Sequence, residues 1–147
     1  VKKSTIILAI AVLSVNVLVA YAFPNKDEDR KAVERAALDY IEGWYEGNVE
    51  RMEECLHPDL QKREIRTLPQ TGRSQFGLHT ASTLIEGTRI GRGKQIPVEE
   101  RNIQITVFEI FKNIATVKAT SKLSTEYLHI VKYNREWKVL NVLWERN

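Results

Sequence analysis

The chain has 147 residues, 43% of them hydrophobic and 28% charged, with a formal charge of +3 at neutral pH. Two lysines and 16 apolar residues fall within the first 22 positions. Residues 23–147 are left with 20 basic and 19 acidic side chains, a near balance that removes the main argument for a nucleic-acid binder. A chain of about 125 residues makes one domain that buries roughly two thirds of its unfolded surface, and not two domains.

Lys2 and Lys3, an apolar run over 6–19 broken only by Ser14 and Asn16, and small residues in Ala20-Tyr21-Ala22 form a secretory signal pattern. The run is shorter than the ~20 residues of a spanning helix. Cleavage after Ala22 is therefore expected, giving a secreted or periplasmic protein with no membrane segment left, and a single domain over 23–147. Cys55 is the only cysteine, so no disulfide closes within the chain, and its place on an apolar helical stripe beside Met52 and Leu56 reads as a buried, inert thiol.

Asn25 and Glu28 are spaced for a helix cap. Val33, Ala36, Ala37, Tyr40, Ile41 and Trp44 then recur on one face of a long amphipathic helix. Gly47 ends it, Asn48 caps a second, short helix through Leu56, and Pro58 stops that one. Residues 60–68 read as a first strand, 69–77 as a turn-rich stretch, 78–86 as a third helix, and 87–97 as a solvated flexible loop rich in glycine and base. Four strands follow, over 102–111, 114–121, 125–133 and 137–146, with hairpins at Lys112-Asn113 and Asn134-Arg135-Glu136. Helices before strands predict an α+β domain with the helices on one face of an antiparallel sheet. Apolar side chains occupy both faces of these strands, so the face without helices is expected to be covered by a second copy of the chain.

These blocks resemble a known family. The segments DYIEGWYEGN (39–48), RMEECLHPDLQKR (51–63) and YLHIVKYNREWKVLNVLWE (127–145) are similar to the putative lumazine-binding proteins of the nuclear transport factor 2-like superfamily. The resemblance implies a cone: a curved antiparallel sheet wrapped on helices, with a pocket at the wide end and dimerisation through the sheet. It does not imply one activity, because the superfamily contains isomerases, dehydratases, cyclases and binding proteins. Glu126 stands where an Asp is common before the Tyr-Leu pair, a departure that weakens any pocket role carried over to it.

His57, His79 and His129 are isolated, which argues against a metal site, and His57 with Asp59 reads as a hydrogen-bonded corner between helix and strand. Gly87, Gly91 and Gly93 with Lys94 lack the spacing and the following Ser or Thr of a phosphate loop. There is no Gly-x-Ser-x-Gly, and no cofactor is expected. Tyr40, Asp59, Glu126 and His129 are candidates for acid-base chemistry; a buried carboxylate or His within ~3 Å of a tyrosine hydroxyl in the cavity would favour an enzyme. Tyr40, Trp44, Tyr45, Tyr127, Trp137 and Trp144 could stack on a planar ligand or simply fill the core. The expected ligand-binding set is Tyr40, Trp44, His57, Tyr127 and His129, with His129 the polar contact if its strand face lines the cone. Binding of a small planar molecule or a partner is favoured over catalysis of the isomerase, dehydratase or cyclase type. Residues 27–59 carry a net charge of −7 and residues 60–147 a net charge of +7, an asymmetry able to orient the two parts.

Overall fold

The structure, a computed structural model, describes residues 26–147. The expected signal segment, its cut site and the Asn25 cap lie outside the described residues. Helix α1 (Lys26–Glu46) is built on the row Val33, Ala37, Ile41, Tyr45, each step four residues and each side chain no more than 3% exposed. Tyr40 and Trp44 flank that row. The sequence reading placed Trp44 in the stripe, whereas the fully buried aromatic is its neighbour Tyr45, and Trp44 is half-buried.

Gly47 closes α1 at φ 65°, a conformation only glycine adopts without strain. The Asn48 side chain accepts a hydrogen bond from the Arg51 backbone N–H and so caps α2 (Val49–Cys55). Arg51 then reaches back to Asp39, Glu42 and Glu46 at 2.8, 2.5 and 2.8 Å, fixing the α1–α2 corner. Cys55 is buried, and that burial, with the charge of Asp39, pushes its thiol up to about 12.

The first strand, β1 (Leu56–Thr67), begins four residues earlier than the sequence predicts. Strand β2 (Ser74–Thr80) begins inside the stretch expected to be turns and runs three residues into the expected third helix, paired antiparallel to β1 from Gln61↔Thr80 to Thr67↔Ser74. Gly72 and Gly77 read as turn punctuation and hid this strand, although its partner is the strand just before it. Helix α3 (Ala81–Arg89) is shifted by three residues from the expectation, since Thr80 and Thr83 form a reciprocal cap. A short 3-10 turn, Val98–Glu100, leads to β3 (Gln104–Phe111), β4 (Ile114–Thr120), β5 (Ser124–Tyr133) and β6 (Glu136–Arg146).

The sheet order is β2-β1-β6-β5-β4-β3. Its hairpin neighbours are antiparallel as expected, but β1 and β6 are parallel, so the sheet is mixed and not wholly antiparallel. The cause is topological: β6 closes the chain beside β1, and no hairpin joins them. Register shifts between Val107 and Glu109 and between His129 and Ile130 bend the sheet around the helices.

The β5–β6 turn is made by Asn134 and Arg135 at φ 49° and 71°. Two positive values define a type I′ hairpin, where glycine is favoured second. Arg135→Gly is expected to stabilise the domain by about 1 kcal/mol, the relief of left-handed strain less the backbone entropy of glycine. A urea midpoint shifted upward with unchanged slope is the check. The same hairpin is tied to α1: Asp29 Oδ1 accepts from Lys132 Nζ at 2.7 Å and from the Trp137 indole N–H at 3.0 Å. The Lys132 bond holds the Asp29 carboxyl below the usual range against the opposing effect of burial, with Trp137 adding to it. Here the acidic start of the domain meets its basic end.

On β5 the side chains of Ser124, Glu126, Leu128 and Ile130 point to the helices and are buried, while Tyr127 and His129 point away and are exposed. The outer face carries the exposed apolar groups Leu143 and Tyr127, cross-strand partners, and Phe108 stacked on Tyr127 at 6.5 Å. Phe111 and Ile114 continue it.

Candidate functional site

A cavity of about 480 Å³ opens between α1, α3, the sheet and the 90–97 segment. Its apolar wall comes from Ile41, Met52, Leu84, Ile96 and Leu123, and its aromatic wall from Tyr40, Trp44, Tyr45 and Trp144. At its base three elements converge. Tyr40 projects from the flank of α1, Lys62 from the inward parity of β1, and Glu126 from the inward parity of β5.

The Tyr40 hydroxyl donates to Glu126 Oε2 at 2.6 Å, and Lys62 Nζ donates to the same oxygen at 2.8 Å and to the Tyr40 oxygen at 2.6 Å. Ser124 donates to Glu126 Oε1 at 2.8 Å. Both Lys62 and Glu126 are buried. Burial alone would raise the Glu126 pKa, but the Lys62 charge and hydrogen bond, with those of Tyr40 and Ser124, outweigh it and hold the carboxyl below its usual range. Burial and the Glu126 charge push the Tyr40 hydroxyl well above 10. At neutral pH Glu126 is therefore the carboxylate and Tyr40 the phenol. Lys62 also lies over the Trp144 ring at 4.4 Å. Two of its three N–H groups are engaged in the hydrogen bonds above.

The outer ring of the cavity is cationic. Arg146 pairs with the buried Glu64 at 3.3 Å, and Arg66 donates to the Gln75 amide oxygen at 2.8 and 3.1 Å. Arg92 is exposed and has no ion pair among the described residues. Burial, the Lys62 charge and the Arg92 charge lower the His79 pKa against the opposing pull of Glu64, so His79 is neutral at pH 7.

Arg92 owes its position to the glycines around it. An added Cβ on Gly93 would stand 2.6 Å from Trp44 Cδ1 and 2.8 Å from the Trp44 carbonyl carbon, and one on Gly87 would stand 2.9 Å from the Trp44 ring. The segment read from sequence as a flexible loop is packed directly on Trp44. The Trp144 indole nitrogen is buried with no hydrogen-bond partner, the only such side-chain atom among the described residues.

Of the five expected ligand-binding residues, the cavity gathers Tyr40 and Trp44. His57 sits at the helix–strand corner, its Nδ1 accepting from the Asp59 backbone N–H at 3.1 Å and its ring edge-on to Tyr133 at 4.6 Å. Tyr127 and His129 lie on the opposite face of the sheet, where His129 borders a separate recess of about 330 Å³ with Phe111 and Ile114. The condition attached to His129 is not met, because its strand parity faces outward. Among the acid-base candidates Tyr40 and Glu126 touch, while Asp59 is exposed and remote from the cavity. Glu126, given a weakened role by its departure from the family pattern, is the cavity's central carboxylate. Lys62, Glu64, Arg66, Ser124 and Arg92 were missed. Their common signal is inward parity on β1 and β5 or adjacency to a close-packed glycine. Among the described residues, no group of three or more His, Cys, Asp or Glu is placed to hold a metal ion.

A family model described as "Putative lumazine-binding" matches residues 28–145. No curated protein matches the sequence. Solved structures share the fold at low identity. A protein of unknown function from Silicibacter pomeroyi, described as NTF-2 like, superposes with TM-score 0.62 at 9% identity, covering 82% of this chain and 98% of that one. A cystatin-like fold protein from Burkholderia xenovorans gives 0.54 at 19% identity, covering 83% and 94%. A ketosteroid isomerase-like protein from Erwinia carotovora atroseptica gives 0.51 at 13% identity, covering 82% and 97%.

Proposed function

The chain belongs to the putative lumazine-binding family, with a nuclear transport factor 2-like fold, and from that premise we propose that it is an exported, dimeric binding protein whose cone cavity holds a small planar molecule. The observation that carries this reading is the cavity itself. Its volume of about 480 Å³ lies in the range of small-molecule sites, and aromatic walls around a few convergent polar groups are the composition such sites have.

Binding is favoured over catalysis by the state of Glu126. Both of its oxygens already accept hydrogen bonds, from Ser124 on one and from Tyr40 and Lys62 on the other. A carboxylate so engaged is a poor proton acceptor toward a ligand. The enzyme reading keeps one specific observation in its favour: the 2.6 Å contact between Tyr40 and Glu126 meets the distance expected of an acid-base site.

Native mass spectrometry of protein purified from its own host tests both parts. A dimer mass with a retained small molecule released on denaturation is the expected result. A bare monomer that also fails to bind planar aromatic probes would overturn the proposal. Conversion of the released molecule on incubation, lost in Glu126→Gln with binding kept, would replace it by the enzyme reading. Leu143→Asp places a charge on the outer sheet face between Tyr127 and Arg63, its strand partners. That variant should halve the mass seen by light scattering and leave ligand binding unchanged. Export is supported by residues 1–22 of the sequence, and N-terminal sequencing of the mature protein should begin at Phe23.

A further inference from the structure

We propose that the cavity selects an amphipathic anion: a planar apolar body enclosed by the aromatic walls, with one carboxylate at the arginine-lined mouth. This rests on the reading of the cavity as a binding site and adds the charge of what it binds.

Six ionised side chains line the cavity: Lys62, Arg66, Arg92, Arg146, Glu64 and Glu126. Both carboxylates are spoken for within the protein, Glu126 by Lys62 at 2.8 Å and Glu64 by Arg146 at 3.3 Å. Two guanidinium groups remain without a carboxylate. The Arg66 side chain is bonded only to the neutral amide of Gln75, and the Arg92 side chain has no hydrogen-bond acceptor or ion pair among the described residues. Both are exposed at the mouth, whereas the paired Lys62, Glu64 and Glu126 are buried.

A cationic ligand would meet two uncompensated positive charges and no free carboxylate. A neutral ligand would leave both guanidiniums as they are. A carboxylate supplies the acceptor they lack, in the planar geometry that a guanidinium fork binds best. The site is built and not a chance surface cluster, because Gly87 and Gly93 press the chain on either side of Arg92 onto Trp44, a wall of the same cavity. The backbone that carries Arg92 is therefore held against the aromatic surface that stacks the body.

The test compares three probes of one shape: naphthoate, the neutral naphthalenemethanol and the cationic naphthylmethylammonium, each titrated against the full domain by quenching of tryptophan fluorescence. Naphthoate is expected to bind about tenfold more tightly than the alcohol, the effect of one charge-assisted contact. That advantage should shrink as salt is raised. Arg92→Gln and Arg66→Gln, both at exposed positions, should each remove most of the advantage and leave the alcohol's affinity unchanged. Equal binding of naphthoate and alcohol, or tighter binding of the ammonium, overturns anion selection while the cavity reading stands. Failure of all three probes to bind overturns the cavity reading and this inference with it.

Discussion

Replacing Glu126 with leucine is expected to destabilise the domain by about 3–5 kcal/mol, because it leaves the Lys62 ammonium buried without its counter-charge. Lys62 and Glu126 have side chains only 10% and 7% exposed, so solvent compensates little. A loss of that size is a large part of the roughly 5–15 kcal/mol that holds a domain of this kind together. The double variant Lys62→Met with Glu126→Leu should recover most of it, since removing both charges also removes their desolvation cost. What remains, about 1–3 kcal/mol, belongs to the Tyr40 hydroxyl, which loses both partners, and adding Tyr40→Phe should remove that too. Urea melts of the three variants beside the parent protein form the test, and a single-variant loss under about 1 kcal/mol would mean that cavity water supports Lys62. The pH dependence has a definite sign. The folded Glu126 pKa lies below its unfolded value of about 4.3. Its contribution is complete above that value and is lost as pH falls through the folded pKa. In Glu126→Leu this part of the acid destabilisation should disappear.

The parts of this molecule that could be read from sequence are those whose signal is local. The 33-37-41 spacing, Asn48 ahead of a short helix, and two-residue breaks at Lys112-Asn113 and Asn134-Arg135 each depend on neighbours within one turn or hairpin. Tyr40 and Trp44 came out of the same pattern and do line the cavity. The remainder of the site depended on which face of each strand meets the helices, and alternation does not decide that when both faces are apolar. On β5 the choice lay between Tyr127 with His129 and Glu126 with Leu128. The aromatic and imidazole set looked more like a site, but the Glu126 set is the one that faces inward. Lys62 was illegible for a related reason: Lys-Arg-Glu-Ile-Arg reads as a solvated strand, and its burial follows from pairing β1 between β2 and β6, where its partner is Val142, far along the chain. Strand β2 was lost because its only cue, alternation around Phe76 and Leu78, is interrupted by Gly77, and its outward side chains remain exposed.

Gly93→Val should cost about 3 kcal/mol and at the same time abolish the preference for an anionic probe. The residue has no positive φ to explain it; the requirement is space. Its missing side chain would meet the Trp44 carbonyl oxygen, with the carbonyl carbon 2.8 Å away, and these atoms belong to the last turn of α1, which cannot rotate aside as a side chain can. Either the 90–97 segment lifts or the end of α1 moves, and overpacking of this kind costs typically 1–3 kcal/mol, at the upper end when backbone must give. If the segment lifts, Arg92 leaves the mouth with it, so the naphthoate advantage falls although no charge has been removed. Gly43 supplies the contrast. It lies inside α1, and an added Cβ there meets nothing nearer than 3.5 Å, so Gly43→Ala should raise stability by roughly 0.5–1 kcal/mol through the entropy of the unfolded chain. Opposite signs for the two glycines, measured by the same melts, would separate close packing from backbone freedom. A Gly93→Val protein of unchanged stability that still prefers naphthoate would mean that the segment is not held on Trp44, and that Arg92 owes its place to something other than this contact.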